Sequence, residues 1–240
     1  MRATEFEFRH RFWLISAIFA LSFALYRFDP RNLGVALLER LRGAGFDAGS
    51  LAGRRDLRIL FLGAAALVVL AALLRTWATA FLSSDVVHDS ALRQDRLVAD
   101  GPFRHVRNPL YLGLFVMAAG MALFCSRVGA ALLLVALPLL GLRLIGLEEE
   151  RLLATAGESY RAYLARVPRL LPSLAPRLPA SGRKGQWLQA LVGELFLWIF
   201  AAGSIAFALT LNLATFAWTS GAGMAIYFVA RALARRIGRS

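Results

Sequence analysis

The chain has 240 residues, 58% of them hydrophobic, and a mean hydropathy of +0.59, which excludes an ordinary soluble domain and points to one compact polytopic membrane unit. A formal net charge of +13 would suit nucleic acid, but the arginines fall in the gaps between apolar runs, where they meet anionic headgroups and orient the chain, so nucleic-acid binding is excluded. The single cysteine, Cys125, excludes a disulfide framework and a cysteine-rich zinc site and reads as a packing residue.

In chain order, Arg9 and Arg11 lead into an apolar run, residues 12–26, followed by Arg27-Phe28-Asp29-Pro30. No small-x-small cleavage pattern follows, so the run reads as a retained first span, though a short one. Leu33, Val35, Leu37, Leu38 and Leu41 predict an interfacial helix, with Arg40 and Arg42 at headgroup level, before a glycine-rich link over 43–53. Residues 57–82 form the second expected span. Arg75 within it either snorkels to the interface or, with Trp77, faces a site and holds an anionic group.

Residues 83–109 are too polar to enter lipid and read as a connector. Pro102 and Pro109 favour extended geometry before them and lack an N–H, so they bracket a non-helical segment with backbone groups free for a ligand. Residues 110–124 and 128–147 make an apolar hairpin turned at Cys125-Ser126-Arg127. Gly113, Ala118, Ala119 and Gly120 give its first arm a small-residue face, and Pro138 predicts a kink in the second. From 148 to 171 the period of Leu152, Leu153, Ala156, Tyr160, Tyr163, Leu164 and Val167 predicts an amphipathic helix, interrupted at Gly157. A proline-rich stretch, 168–179, ends it, and 181–185 reads as a linker. Two further spans, 187–211 and 214–230, precede a basic tail.

The expected fold is therefore all-α and polytopic, with about six transmembrane helices, a cytoplasmic connector and an amphipathic helix. It forms one membrane domain over 1–240: N-terminal spans and interfacial loop (1–82), core (83–172), and an extra C-terminal hairpin with its tail (187–240). With six spans and a cytoplasmic N terminus, 18 basic residues fall inside and 8 outside. This bias places both polar segments that flank the 110–147 hairpin at the cytoplasmic face of a multi-pass integral membrane protein, expected in a bacterial inner membrane.

Those two segments carry the motifs. The first runs Gly101-Pro102-Phe103 and Arg107-Asn108-Pro109-Leu110-Tyr111-x-Gly113; the second runs Glu148-Glu149, Gly157-Glu158-x-Tyr160-x-x-Tyr163 and Arg166-Val167-Pro168. In order and spacing, across residues 86–172, they resemble the integral-membrane isoprenylcysteine carboxyl methyltransferases and phospholipid methyltransferases. The resemblance implies S-adenosylmethionine as cofactor and a lipophilic acceptor reached from the bilayer: an isoprenoid, a prenylcysteine-like carboxylate or a phospholipid. Its cofactor contacts fall on His88, Leu97, Val98, Phe103, Asn108, Tyr111 and Glu148. Phe103 stands where the family has Tyr, and Asn108 where it has His. Asn can still donate and accept, but a titrating group is lost from that position. Arg143, Glu149 and Arg107 are expected at the catalytic, acceptor side, Arg143 lying one residue from the family's arginine.

Independently of the resemblance, the chain has no G-x-G-x-x-G turn and no alternating strand and helix pattern to hold a nucleotide. No metal is required for methyl transfer. Two other functions fit the composition. One is an NADPH-dependent membrane reductase of the sterol-reductase type, which would need a set of cations around the cofactor phosphate. The other is a non-enzymatic transport or assembly module, for which Arg75 and Pro138 are the supporting features.

Overall fold

The computed structural model describes residues 2–82 and 99–237. Among them the chain is all-α apart from one antiparallel bridge, Asn32 to Ser126. The helices are α1 (Glu5–Arg9), α2 (Arg11–Ala24), α3 (Leu33–Arg42), α4 (Leu51–Phe81), α5 (Pro109–Ala122), α6 (Arg127–Arg166), α7 (Trp187–Gly193), α8 (Leu195–Thr210) and α9 (Leu213–Ile237).

The expectation of about six membrane-spanning helices is overturned. Among the described residues, α4 and α6 alone are long and apolar enough to cross, and a third crossing exists only if α7 and α8, bent by 63° to each other, count as one. Length decides this. A 14-residue helix such as α2 or α5 rises about 21 Å, short of the roughly 30 Å hydrocarbon layer. The apolar runs are real, but local chemistry cuts them. The α2 run gives way to a 3₁₀ turn at Leu25–Arg27. Helix α5 cannot begin before Pro109 and ends at Ala122, where the chain turns into Ser126, whose side chain caps α6 by accepting from the Gly129 amide. The inside and outside tally of basic residues, built on six spans, loses its frame with them.

Helix α4 is the central element. It begins at Leu51, capped by Ser50, six residues before the expected start, and packs along α5 and α8. Its inner face is small: Ala64, Ala65, Val68, Ala71 and Ala72 are all buried. Facing them on α5, Gly120 approaches so closely that a Cβ there would lie 2.7 Å from the Ala64 carbonyl oxygen. Gly113 shares this face, lying against Arg75 of α4, whereas Ala118 is buried on another side of the helix and Ala119 is exposed. Small residues let the two backbones touch, and dispersion between close backbones holds helices together where no water drives them.

The predicted interfacial helix is α3, with Leu38 buried and Asn32 as its N-cap. Asn32 also donates through Nδ2 to Tyr26 Oη at 2.7 Å, and Tyr26 donates to the Phe124 carbonyl at 2.8 Å, so the first loop is tied to the hairpin turn. Cys125 is fully buried beside this knot. Helix α6 keeps helical torsions through Pro138 and departs from them at Gly157, at φ 52° and ψ −127°, the interruption that the sequence predicts. Glycine is the residue that reaches positive φ without a Cβ penalty.

Candidate active site

The hairpin of α5 and α6 closes as its apolar runs require, and the closure brings the two motif segments together. Tyr111, in the first turn of α5, donates through Oη to Glu148 Oε1 at 2.9 Å. Asn108, at the N-cap of α5, donates through Nδ2 to Glu149 Oε1 and to the Arg169 carbonyl, both at 3.2 Å. Its backbone, at φ −121° and ψ 60°, is the non-helical geometry expected before Pro109. Two glutamates adjacent in sequence thus face two α5 residues three positions apart. That is the spacing at which side chains share a helix face.

A second set of contacts is not legible in the sequence. The proline-rich stretch that ends the amphipathic helix runs back antiparallel along the connector. The Arg107 amide donates to Pro168 at 2.8 Å, Ser173 to His105 at 3.0 Å and Arg177 to Arg104 at 2.8 Å, while the Ser181 amide donates to Asp100 Oδ1 at 2.9 Å. Tyr163 donates to the Phe103 carbonyl at 2.8 Å, and Tyr160, Tyr163 and Val167 are buried between strap and helix. Prolines keep the strap from forming a helix, which leaves its backbone groups free to pair with the connector.

The strap delivers Arg169, a residue absent from the sequence-derived set. Its Nη2 lies 3.1 Å from Glu149 Oε2, while Arg107 Nη1 lies 3.5 Å from Glu149 Oε1. Glu149, whose side chain is 15% exposed, is therefore clamped between two guanidiniums and an amide. The signal that could reveal Arg169 is its place directly after the Arg166-Val167-Pro168 motif.

The other predicted residues divide. Phe103 is buried, but among the described residues no ring contact joins it to Tyr111. Arg143 does not join the cluster: its Nε and Nη2 donate to Glu7 of α1 at 3.1 and 2.8 Å. Glu7 also closes the capping box of α1 with Thr4, and the Arg143 guanidinium holds its carboxyl well below the usual range, at about 2. Further pairs, Arg151 with Glu5 at 2.5 Å and Arg2 with Glu150 at 2.6 Å, lay α1 along this end of α6. His88, Leu97 and Val98 lie outside the described residues.

Neither expected reading of Arg75 holds. It is paired inside the bundle: Nε and Nη2 donate to Glu194 at 3.0 and 3.1 Å and Nη1 to the Leu110 carbonyl at 3.3 Å. Thr79 donates to the same glutamate at 2.8 Å. The side chain crosses directly over Gly113, where a Cβ would lie 2.5 Å from Arg75 Cγ. The last glycine of the Asn108-Pro109-Leu110-Tyr111-x-Gly113 segment is thus the gap through which an arginine reaches the extra C-terminal hairpin.

The adjacent carboxylates held by Tyr111 and Asn108 sit at the end of a stretch of known kind. Residues 59–156 match the phospholipid methyltransferase family. The chain therefore carries a methyltransferase domain related to that family, from α4 through the connector and the α5–α6 hairpin to the residue before Gly157. This domain starts further upstream than the motifs suggest and stops short of the strap. Neither curated proteins nor solved structures give a match to the chain. Among the described residues no cluster of His, Cys, Asp and Glu is arranged to hold a metal ion.

Proposed function

We propose that the methyltransferase domain binds S-adenosylmethionine beside Tyr111 and Glu148 and transfers its methyl group to a lipophilic acceptor that arrives through the bilayer. The observation that carries this reading is the paired closure of Tyr111 on Glu148 and Asn108 on Glu149, inside a stretch matched to phospholipid methyltransferases. The donor set suits the cofactor: a carboxylate accepts from an amine or from ribose hydroxyls, and the Asn108 amide both donates and accepts. When bound, S-adenosylmethionine supplies an electrophilic methyl on a sulfonium; its S–C bond breaks as the acceptor's bond to carbon forms, leaving a neutral thioether.

The residues of the chain then have separable tasks. Glu148, fixed by the Tyr111 phenol, binds and orients. Glu149 faces the acceptor side with Arg107; from an amine or hydroxyl acceptor it takes the proton released on methylation, and from a carboxylate acceptor none is released. The buried aromatic and apolar shell around Phe103, Tyr160 and Tyr163 keeps water from competing as nucleophile. His88, Leu97 and Val98 complete the proposed cofactor contacts. We place Arg143 outside the contact set, as a brace for α1, because Glu7 already engages it at two points.

Calorimetric titration of the detergent-solubilised chain with S-adenosylmethionine and, separately, NADPH tests the proposal. Binding of the first and not the second is expected, with transfer of labelled methyl into membrane lipid extract. Binding of NADPH alone would move the chain to the reductase class.

A further inference from the structure

The arginines of this chain are not all satisfied alike. Arg75, Arg127 and Arg143 each engage one carboxylate through two nitrogens, at 2.8 to 3.2 Å. Arg107 and Arg169 instead share the single carboxylate of Glu149, and the closest approaches are 3.5 and 3.1 Å. Among the described residues neither guanidinium makes a hydrogen bond of good geometry, and in both the Nε is buried without a partner there. The cluster carries two positive charges against one negative, with the Arg107 side chain 15% and the Arg169 side chain 41% exposed. Like charges held together repel, and each buried Nε without a partner carries a desolvation penalty. A guanidinium offers five donors in a planar fork suited to a two-oxygen partner.

From this we infer that Arg107 and Arg169 form a subsite for an oxyanion, a carboxylate or phosphate group, with Glu149 spacing the two forks apart. An arriving anion completes the charge balance and gives the idle donors their partners. The inference rests on the methyltransferase reading for its two candidate sources: the methionyl carboxylate of S-adenosylmethionine, or the acid group of the acceptor. Arg169 reaches the subsite only because the strap pairs with the connector, so the 168–181 segment, outside the matched methyltransferase stretch, contributes directly to ligand binding.

The test compares the full-length wild type with Arg107→Gln and Arg169→Gln in detergent. Each protein is titrated with S-adenosylmethionine, with its decarboxylated analogue and with dioctanoyl phosphatidic acid. Loss of one charge-assisted contact predicts a weakening of roughly tenfold or more in each variant for an oxyanion-bearing ligand, with the decarboxylated analogue binding all three proteins equally. Selective loss for S-adenosylmethionine identifies the cofactor carboxylate; selective loss for phosphatidic acid identifies the acceptor. Equal loss for the cofactor and its decarboxylated analogue, or no loss for either acid ligand, overturns the subsite and leaves the arginines as braces for the strap. Should the glutamine variants not fold, Arg169→Lys, which keeps the charge but not the fork, is expected to lose affinity in the same selective pattern. Wild type that binds no S-adenosylmethionine defeats the methyltransferase reading, and the phosphatidic acid arm then judges the subsite alone.

Discussion

Two arginine–glutamate clusters meet the start of α5, one at the Leu110 carbonyl and one at Asn108, and they are built on opposite principles. At Arg75 and Glu194 every nitrogen of the guanidinium has a partner, and Glu194, 5% exposed, also accepts from Thr79. At Glu149 two guanidiniums divide one carboxylate and leave donors idle. A saturated pair gains nothing from a ligand and contributes by holding elements together: here α4, the bend between α7 and α8, and the Leu110 carbonyl. An unsaturated cluster costs free energy until something binds. This imbalance is the ground on which we propose the Glu149 cluster as a site and read the Arg75 pair as scaffold.

The largest expected effect comes from breaking the saturated side. Glu194→Ala leaves a buried guanidinium uncompensated and is expected to lower stability by about 3 to 5 kcal/mol, read as a drop in thermal unfolding midpoint in detergent. A variant with unchanged Tm would show Arg75 to be well solvated and would dissolve the contrast. Next, Glu148→Gln is expected to weaken S-adenosylmethionine binding by about 1.5 to 3 kcal/mol, the range for a charged hydrogen bond, with little change in Tm. Full affinity in that variant would remove Glu148 from the cofactor site.

Asn108 lies on the unsaturated side and should respond more gently. Asn108→Leu removes the donor that Glu149 and the Arg169 carbonyl share, at a cost on the order of 1 to 3 kcal/mol, measured as lost methyl transfer and lost cofactor affinity. Asn108→His can still donate and should retain part of both. Equal loss in the two variants would mean that the pocket has been rebuilt around asparagine. The smallest effect concerns Glu7. Because Arg143 depresses its folded pKa from 4.5 to about 2, its contribution is fully present above pH 4.5 and is lost as pH falls from there toward 2. Acid-unfolding curves of wild type and Glu7→Gln should therefore differ above pH 4.5 and converge near pH 2. A gap that persists at the acid limit would assign the difference to packing instead.

Much of the site is legible in the sequence alone. Asn108, Tyr111, Glu148 and Glu149 stand at fixed distances along the chain around an apolar hairpin, and closing that hairpin brings its two ends together. The glycines Gly113 and Gly120, seven residues apart on one face, announce a close neighbour, although not that Gly113 makes room for Arg75. Arg169 escapes a sequence reading because a proline-rich stretch has no periodicity, and its pairing with the connector joins residues 61 positions apart. The resemblance puts Arg143 at the acceptor side, while its partner, Glu7, lies on α1.

The sequence by itself determined the all-α class, the apolar hairpin, the break at Gly157 and the identity of the carboxylate pair. These follow from composition, local torsional preference and helical period, all of which act within a few residues. Only the tertiary structure decided how many helices are long enough to cross a membrane, which partner each arginine takes, and that the strap brings Arg169 to Glu149. Those depend on where helices terminate and on contacts between distant segments: a buried charge is satisfied by whatever the fold brings within about 3 Å, and no local pattern encodes that.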